Sequence, residues 1–270
     1  MDEIIQASLH QIQEDQGFKI IYACESGSRA WGFASEDSDY DVRFIYLNPP
    51  EWYLSVDLED RSDVFERPIT DLLDVSGWDL RKALKLLKKS NPPLLEWLNS
   101  PIVYLEMPEI ASRFRDLIPD FYSPIACSYH YLHMAQGNYR DYHRDDVVWL
   151  KKYLYILRPL LAIGWIEKEE TAVPMEFSVL VDRLVTDPNL KQAIEQLLED
   201  KKQGKELDRG PAIPEISSFI QRELQRLERE MPTRVNPKSD SERLNEFFRF
   251  ALSVAWESGS TALRLPHDLL

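Results

Sequence analysis

The stretch ESGSRAWGFASEDSDYDVRF, residues 25–44, decides which fold the chain can adopt. An apolar, β-rich run, FKIIYACE, leads into the Ser26-Gly27 turn, and a second such run, YDVRFIYL, closes the stretch. Apolar runs of this length bounded by turn residues are typical of buried strands. The stretch therefore predicts a strand, a Gly-Ser turn, one or two helical turns over 28–33, a loop and a second strand.

Two acidic residues, Asp39 and Asp41, flank Tyr40 at the head of the second strand. Because successive side chains of a strand point to opposite faces, these two acids share a face, about 7 Å apart at the backbone. Carboxylates held this close repel each other unless a cation lies between them, and a hard divalent cation is the usual partner of such oxygen ligands. We therefore predict that Asp39 and Asp41 bind magnesium.

The Gly-Ser turn supplies groups that can bind phosphate. Gly27 lets the backbone approach a phosphate closely, the N–H groups of the following helix end point toward it, and Ser28 adds a hydroxyl. Arg29 adds a positive charge. Either motif alone is common in ordinary turns and strand ends, but their spacing returns both to one sheet edge. Since magnesium is usually held by carboxylates together with substrate phosphates, Gly27, Ser28 and Arg29 are predicted nucleotide contacts.

Composition bounds the class of protein. The chain has 270 residues, of which 44% are hydrophobic, enough to bury a full core. It has no apolar run near the roughly 18 residues of a membrane span and no signal-peptide pattern at its acidic start, so we expect a cytoplasmic protein without a membrane partner. The net charge of −14 argues against broad, non-specific nucleic-acid binding. Two cysteines are too few for a disulfide framework.

The predicted elements change character near residue 110. Strands and helices alternate before this point, and helical patterns alone follow it, including a charged stretch at 199–211 that predicts a mobile loop between helices. We therefore expect an α+β fold with a catalytic domain at 1–110 and a helical C-terminal domain at 111–270.

The motif GSRAWGFASEDSDYDV, residues 27–42, resembles the hG[GS]…Dh[DE]h signature of the DNA polymerase β-like nucleotidyltransferase superfamily. A basic helix followed by NPPLLEWLNSPIVY, and the later segment KKYLYILRPLLAIGWI, resemble more closely the bacterial nucleotidyltransferases associated with RNA repair. The resemblance covers most of residues 22–178.

This resemblance implies a mixed β-sheet flanked by helices and two Mg²⁺ ions held by three carboxylates. It also implies transfer of a nucleoside monophosphate from a nucleoside triphosphate, such as ATP, to an acceptor hydroxyl, with RNA as one candidate acceptor. Asp39 and Asp41 match the first two carboxylates. Asp71, Asp74 and Asp79 are available for the third, and we favour Asp74 because it should end a strand before the basic helix, whereas Asp79 should already be helical.

Three basic residues are further predicted nucleotide contacts. Lys82 belongs to the basic helix, although a solvated face is an equally good interpretation of that helix. Lys151 and Arg158 are seven residues apart on one face of a later helix and could hold phosphates. The aromatic run CSYHYLHMAQGNYRDYH, residues 127–143, could stack a base, but helix packing explains most of it.

Two functions stay open at this point. The first is a magnesium-dependent nucleotidyltransferase acting through Asp39, Asp41 and Asp74. The second is a non-catalytic nucleotide-binding sensor or antitoxin-like protein with the same fold, which the presence of all three candidate carboxylates disfavours. A nucleic-acid-binding module that uses the basic helix is a weaker third interpretation.

Overall fold

The computed structural model describes residues 1–69, 72–142, 147–169, 171–203, 209–231 and 240–256. Within these residues, five strands form a mixed sheet in the order β3-β4-β2-β1-β5, where β2 and β4 are parallel and the other neighbours are antiparallel. The strands are β1 (Lys19–Glu25), β2 (Tyr40–Leu47), β3 (Val64–Glu66), β4 (Leu73–Asp79) and β5 (Val103–Glu106). The predicted α+β fold with a mixed sheet is confirmed.

Helices account for most of the remaining described chain. They are α1 (Asp2–Gln16), α2 (Gly27–Ala30), α3 (Pro50–Tyr53), α4 (Leu80–Leu87), α5 (Pro92–Leu98), α6 (Pro108–Phe121), α7 (Pro124–Tyr142), α8 (Leu150–Glu169), α9 (Phe177–Leu184), α10 (Pro188–Lys202), α11 (Pro214–Glu230) and α12 (Ser241–Trp256). A short 3₁₀ helix covers Leu58–Asp60, and β6 (Val147–Trp149) pairs with β7 (Arg209–Pro211). In the described parts of the chain, none of these helices combines the length and apolarity of a membrane span.

One face of the sheet is covered by α1. This helix has an apolar stripe at helical spacing, formed by Ile5, Leu9 and Ile12, and the stripe packs in one buried cluster with Val42 and Phe44 of β2. Alternate residues of β2 point to the opposite face. The strand is therefore buried on both sides, which explains why its sequence is almost continuously apolar after the first residues.

The other face of β2 looks toward the remaining helices. Ile45 and Leu47 belong to a larger buried cluster that also contains residues of α4 to α12. Because side chains two positions apart share a face, Asp41 and Arg43 lie on the same side as Ile45. The acidic end of β2 is thus turned toward the helical half of the protein.

β4 differs from its predicted extent. Asp74 lies at the beginning of this strand rather than at its end, and the strand continues to Asp79, whose carboxylate caps α4 by accepting a hydrogen bond from the Arg81 N–H at 2.8 Å. The sequence LLDVSG suggested an ending strand. Gly77 instead lies inside the strand, because a Cβ at this position would come within 2.3 Å of the Phe44 ring. Here glycine makes room for an aromatic ring and does not form a turn.

The domain boundary near residue 110 stays a prediction. β5 ends at Glu106, and helices dominate the described chain from Pro108 onward. The larger buried cluster nevertheless extends from Ile21 in β1 to Ala255 in α12. The sheet and the helical half therefore share one hydrophobic core.

Replacing Gly77 with alanine is expected to destabilise the fold. The new methyl group would overlap the Phe44 ring, and overpacking of this kind typically costs about 1–3 kcal/mol. Chemical denaturation of the two proteins measures the loss. Gly137→Ala is the matched control, since nothing lies within 4 Å of a Cβ at this α7 position and alanine favours a helix by about 0.5–1 kcal/mol. Equal stabilities for the two variants would contradict the packing role of Gly77.

Candidate active site

The predicted phosphate turn and the acid pair lie side by side. Gly27 begins α2 with a φ of +56°, and a Cβ on this residue would lie 2.0 Å from Oδ2 of Asp41. The backbone N–H of Ser26 donates a hydrogen bond to the Asp41 carbonyl at 2.9 Å. Glycine is required here for two reasons, the left-handed backbone and the direct approach of a carboxylate.

Asp41 and Asp74 face each other across two parallel strands. They are register partners in the β2–β4 pairing, and both project to the face that carries Arg43. Nη2 of Arg43 donates to Oδ1 of Asp41 at 2.9 Å and to Oδ2 of Asp74 at 2.7 Å. Its Nη1 donates to the Asp74 carbonyl at 3.0 Å. A single guanidinium therefore holds the two carboxylates together.

Asp41 is affected by both burial and neighbouring charges. Burial raises the pKa of its carboxyl, and the negative charges of Asp74 and Asp39 raise it further, while Arg43 and Lys151 lower it. Asp39 is exposed and directly precedes β2, so it forms the solvent side of the cluster. Asp39 and Asp74 are therefore both close enough to Asp41 to act on its charge.

A fourth acid, Glu25, was not predicted to belong to the site. It is fully buried, accepts the Asp41 N–H at Oε1 over 2.8 Å, and accepts the Tyr104 hydroxyl at Oε2. Burial raises the pKa of Glu25, and these two donors oppose the rise. Glu25 fixes the backbone at the start of β2. The sequence does contain an indication of this role, because Glu25 is a charged residue at the end of an apolar strand, directly before the Ser26-Gly27 turn.

Arg29 is engaged within its own loop. Nη2 donates to the Ser38 carbonyl at 2.6 Å, Nε donates to the Asp39 carbonyl at 3.2 Å, and the guanidinium lies 3.7 Å from the centre of the Tyr40 ring. These contacts hold the loop between the Gly-Ser turn and the acids. These contacts give Arg29 a positioning role within the loop. They do not test the predicted contact with nucleotide, which stays a prediction.

The first turns of α8 lie close to the carboxylates. Lys151 acts on the charge of Asp41, and burial together with the charges of Asp41 and Asp39 raises the pKa of Tyr155. The Tyr155 ring packs edge-on against Trp31, which directly follows α2. The helical half therefore brings a cation and an aromatic side chain to the acidic edge of the sheet.

Arg158, which follows Lys151 by seven residues in α8, lies in the core. Its side chain is 2% exposed, and Nη1 donates to Oε1 of Glu96 at 2.7 Å. The same Oε1 accepts the Tyr131 hydroxyl at 2.8 Å, and Oε2 of Glu96 accepts the Trp31 indole N–H at 3.3 Å. The guanidinium predicted to contact nucleotide is thus engaged in a buried ion pair in this structure.

Lys201 is a second residue that the sequence did not single out. It lies at the end of α10, where a mobile loop was predicted, and it is only 7% exposed. Its ammonium lies 5.7 Å from the centre of the Phe33 ring, next to the Gly-Ser loop, and no ion pair found in the described residues includes it. Burial lowers the pKa of Lys201, and the charge of Lys151 lowers it further.

The remaining predicted residues lie elsewhere. Lys82 forms an ion pair with Asp63 at 2.8 Å, beyond the Asp79 end of β4. Asp79 and Asp74 are five residues apart on this strand, or about 17 Å at about 3.3 Å per residue. Asp79, formerly an alternative third carboxylate, is therefore at the opposite end of the sheet. The other alternative, Asp71, lies outside the described residues.

The negative charge of this edge of the sheet attracts cations. In the part of the chain that the structure describes, no three His, Cys, Asp or Glu side chains are arranged so that they could hold a metal ion together. The guanidinium of Arg43, however, already forms charge-assisted bonds to Asp41 and Asp74. Those two carboxylates therefore accept a positive charge between them, as ligands of Mg²⁺ must.

Comparison with known proteins identifies a family and similar chains. A model of the RNA repair pathway DNA polymerase beta family matches residues 1–250. The protein named "Uncharacterized protein YcgL" of Bacillus subtilis (strain 168) is 48% identical over 262 residues, which cover 97% of this chain and 100% of that protein. The crystal structure of a nucleotidyltransferase-like protein from Exiguobacterium sibiricum 255-15 shares 14% identity and a TM-score of 0.32, covering 94% of this chain and 89% of the other.

Gly27→Ala is expected to destabilise the protein more than the same change at Gly17. Both glycines have a left-handed backbone, with φ values of +56° and +70°, so the conformational strain of alanine is similar. At Gly27 the methyl group would also displace the Asp41 carboxylate, whereas nothing lies within 4 Å at Gly17. Thermal unfolding should show an additional loss of about 1–3 kcal/mol for the first variant. Identical losses would rule out the close contact with Asp41.

Proposed function

The chain belongs to the RNA repair pathway DNA polymerase beta family, and on that premise we propose that it is a magnesium-dependent nucleotidyltransferase. It transfers a nucleoside monophosphate from a nucleoside triphosphate, such as ATP, to an acceptor hydroxyl, and the family description favours RNA as the acceptor. One observation carries the proposal. Asp41 lies against Gly27 and opposite Asp74, so the phosphate turn and the carboxylates form a single site.

The carboxylates of Asp39, Asp41 and Asp74 would hold the two Mg²⁺ ions. Bound there, the metal supplies neutralising charge to the triphosphate and acidity to the acceptor hydroxyl. Arg43 acts as the positive partner of Asp41 and Asp74 when no other cation is between them. This arrangement offsets part of the negative charge of the two carboxylates in the absence of substrate.

The reaction is an in-line displacement at the α-phosphorus. The acceptor oxygen forms a bond to this phosphorus while the bond to the oxygen that bridges to the β-phosphate breaks, and pyrophosphate leaves. Gly27 and Ser28 orient the triphosphate through the turn next to Asp41. Asp74 lies opposite Asp41, and its carboxylate is the group that we assign to accept the proton of the attacking hydroxyl.

Two lysines of the helical half complete the binding of the triphosphate. Lys151 lies in the first turn of α8 and acts on Asp41, and Lys201 is close enough to Lys151 to be affected by its charge. The two ammonium groups repel each other, so an anion between them lowers the free energy of both. The β- and γ-phosphates supply that anion.

The paired replacement Asp39→Asn with Asp41→Asn is expected to reduce nucleotidyl transfer at least about 100-fold, since both changes remove charge that the reaction requires. Transfer from four labelled nucleoside triphosphates to total RNA and to total protein measures the activity. Asp37→Asn is the matched control, because this exposed acid belongs to the same loop but precedes the cluster. Unchanged transfer in the double variant would exclude the proposed site.

The same assay separates the enzyme from the alternative, a nucleotide-binding sensor or antitoxin-like protein. The enzyme releases pyrophosphate in proportion to labelled acceptor. A protein that binds ATP and magnesium in calorimetry, but releases no pyrophosphate with any acceptor fraction, would favour the sensor.

Lys201→Met is expected to have opposite effects on stability and on binding. Removing a buried charge should raise the unfolding temperature by about 2–4 °C, the shift that about 1 kcal/mol produces in a chain of this size. Loss of charge-assisted bonds to phosphate should weaken binding of ATP with magnesium about 10- to 100-fold. Calorimetry and thermal unfolding measure the two effects.

Lys202→Met is the control for this variant, because Lys202 is the exposed neighbour on the same helix. It should leave both quantities unchanged. A Lys201 variant that binds ATP as tightly as the parent protein would remove this residue from the site.

A further inference from the structure

A cavity lies at the end of the sheet opposite to the carboxylates. Its volume is about 550 Å³, and it is enclosed by α3, α4, α12 and the 3₁₀ helix. Tyr53, on its wall, donates a hydrogen bond to Asp79 at 2.6 Å, which locates the cavity beside the C-terminal end of β4. It is therefore separated from Asp74 by the length of that strand, about 17 Å by the rise of about 3.3 Å per residue.

The inner wall of this cavity is apolar. It is formed mainly by leucines and aromatic rings, chiefly Leu84, Leu244, Leu252, Tyr53 and Phe248. Leu54 lines the opening and is 83% exposed, an unusual position for a large apolar side chain. Cavities of this size with apolar walls and a few polar groups are typical of small-molecule sites.

Among the described residues that line the cavity there are four cations and no carboxylate. Arg81 and Lys85 come from α4, Lys88 directly follows this helix, and Arg249 comes from α12. This is a local excess of positive charge in a protein whose net charge is −14. The protein as a whole repels anions at long range, so an anion that comes close to it is bound best at this local excess of positive charge.

An incoming anion can replace the present partners of these cations with little loss of free energy. Arg81 and Arg249 form ion pairs with Glu59 and Glu242, whose side chains are 73% and 58% exposed, so each pair contributes little stability. Lys88 donates a hydrogen bond to the Ser241 hydroxyl at 2.7 Å. Because a hydroxyl is neutral, this bond does not compensate the charge of Lys88. Lys85 is exposed at the same opening.

We propose that this cavity, lined by α3, α4 and α12, binds an amphipathic small-molecule anion. The apolar body, aromatic or acyl, fills the space between Leu84, Leu244 and Phe248, while the anionic head lies among Lys85, Lys88 and Arg249. The site is separate from the nucleotidyltransferase centre and does not depend on the activity proposed for it.

Two dyes of matched shape test the proposal on the full chain. 8-Anilinonaphthalene-1-sulfonate has an aromatic body with one sulfonate, and N-phenyl-1-naphthylamine is the same body without the charge. The sulfonate should bind at least tenfold more tightly than the neutral dye. The paired change Lys85→Met with Arg249→Met should abolish this preference while leaving the neutral dye unaffected. Fluorescence titration measures each dissociation constant.

Two further variants complete the design. Leu54→Glu introduces a negative charge at the exposed opening and should weaken binding of the sulfonate at least tenfold, without altering the near-ultraviolet circular dichroism of the folded protein. Lys89→Met is the matched control. Lys89 is an exposed lysine just after the end of α4, and it does not line the cavity. It should change neither titration.

Three results would overturn the proposal. The first is equal affinity for the charged and the neutral dye. The second is a loss of sulfonate binding in Lys89→Met as large as in the paired variant. The third is binding of phosphatidylglycerol vesicles that Leu54→Glu abolishes, with no saturable binding of the soluble sulfonate, which would assign this face to a membrane surface instead.

Discussion

The parallel pairing of β2 with β4 imposes the constraint on which the site depends. It sets Asp41 directly opposite Asp74 on one face of the sheet. Two unit charges about 4 Å apart repel by about 4 kcal/mol at an effective dielectric constant near 20, so a positive charge between the two carboxylates relieves a substantial electrostatic cost. Arg43 provides it by bonding both carboxylates. The acidic edge of the sheet is therefore stabilised by positive charge. A site that binds metal ions together with a triphosphate requires this property.

The helical half contributes the other side of this edge. Because Asp41 alternates with the residues that face α1, its carboxylate points toward the helices, where Lys151, Tyr155 and Lys201 lie. The acids Asp41 and Asp74 belong to the sheet in the first part of the chain, and Lys151 and Lys201 belong to the later helices. A nucleotide held between them would contact both parts, so the larger buried cluster that joins the sheet to the helices also fixes the dimensions of the site.

Much of the sheet could be predicted from local patterns, because its strands are short apolar runs bounded by turn residues. β2 has the predicted limits, Tyr40 to Leu47. β4 could not be delimited, since Gly77 is an ordinary turn residue in sequence and only the Phe44 ring explains its place within a strand. The adjacency of Gly27 and Asp41 follows from motif spacing. Lys201 was missed because a charged stretch predicts solvent exposure, and only the packing of α10 against distant segments buries its side chain.

The ion pair between Glu96 and Arg158 limits how the polypeptide can be divided. Glu96 has three partners, of which Trp31 precedes it and Tyr131 and Arg158 follow it beyond residue 110. Separating a buried charge from its counter-ion typically costs about 3–5 kcal/mol. A gene split or a circular permutation near residue 110 would have to reassemble this contact between two pieces. Natural fusions and truncations of the chain are therefore expected to avoid that point, even though the secondary structure changes character there.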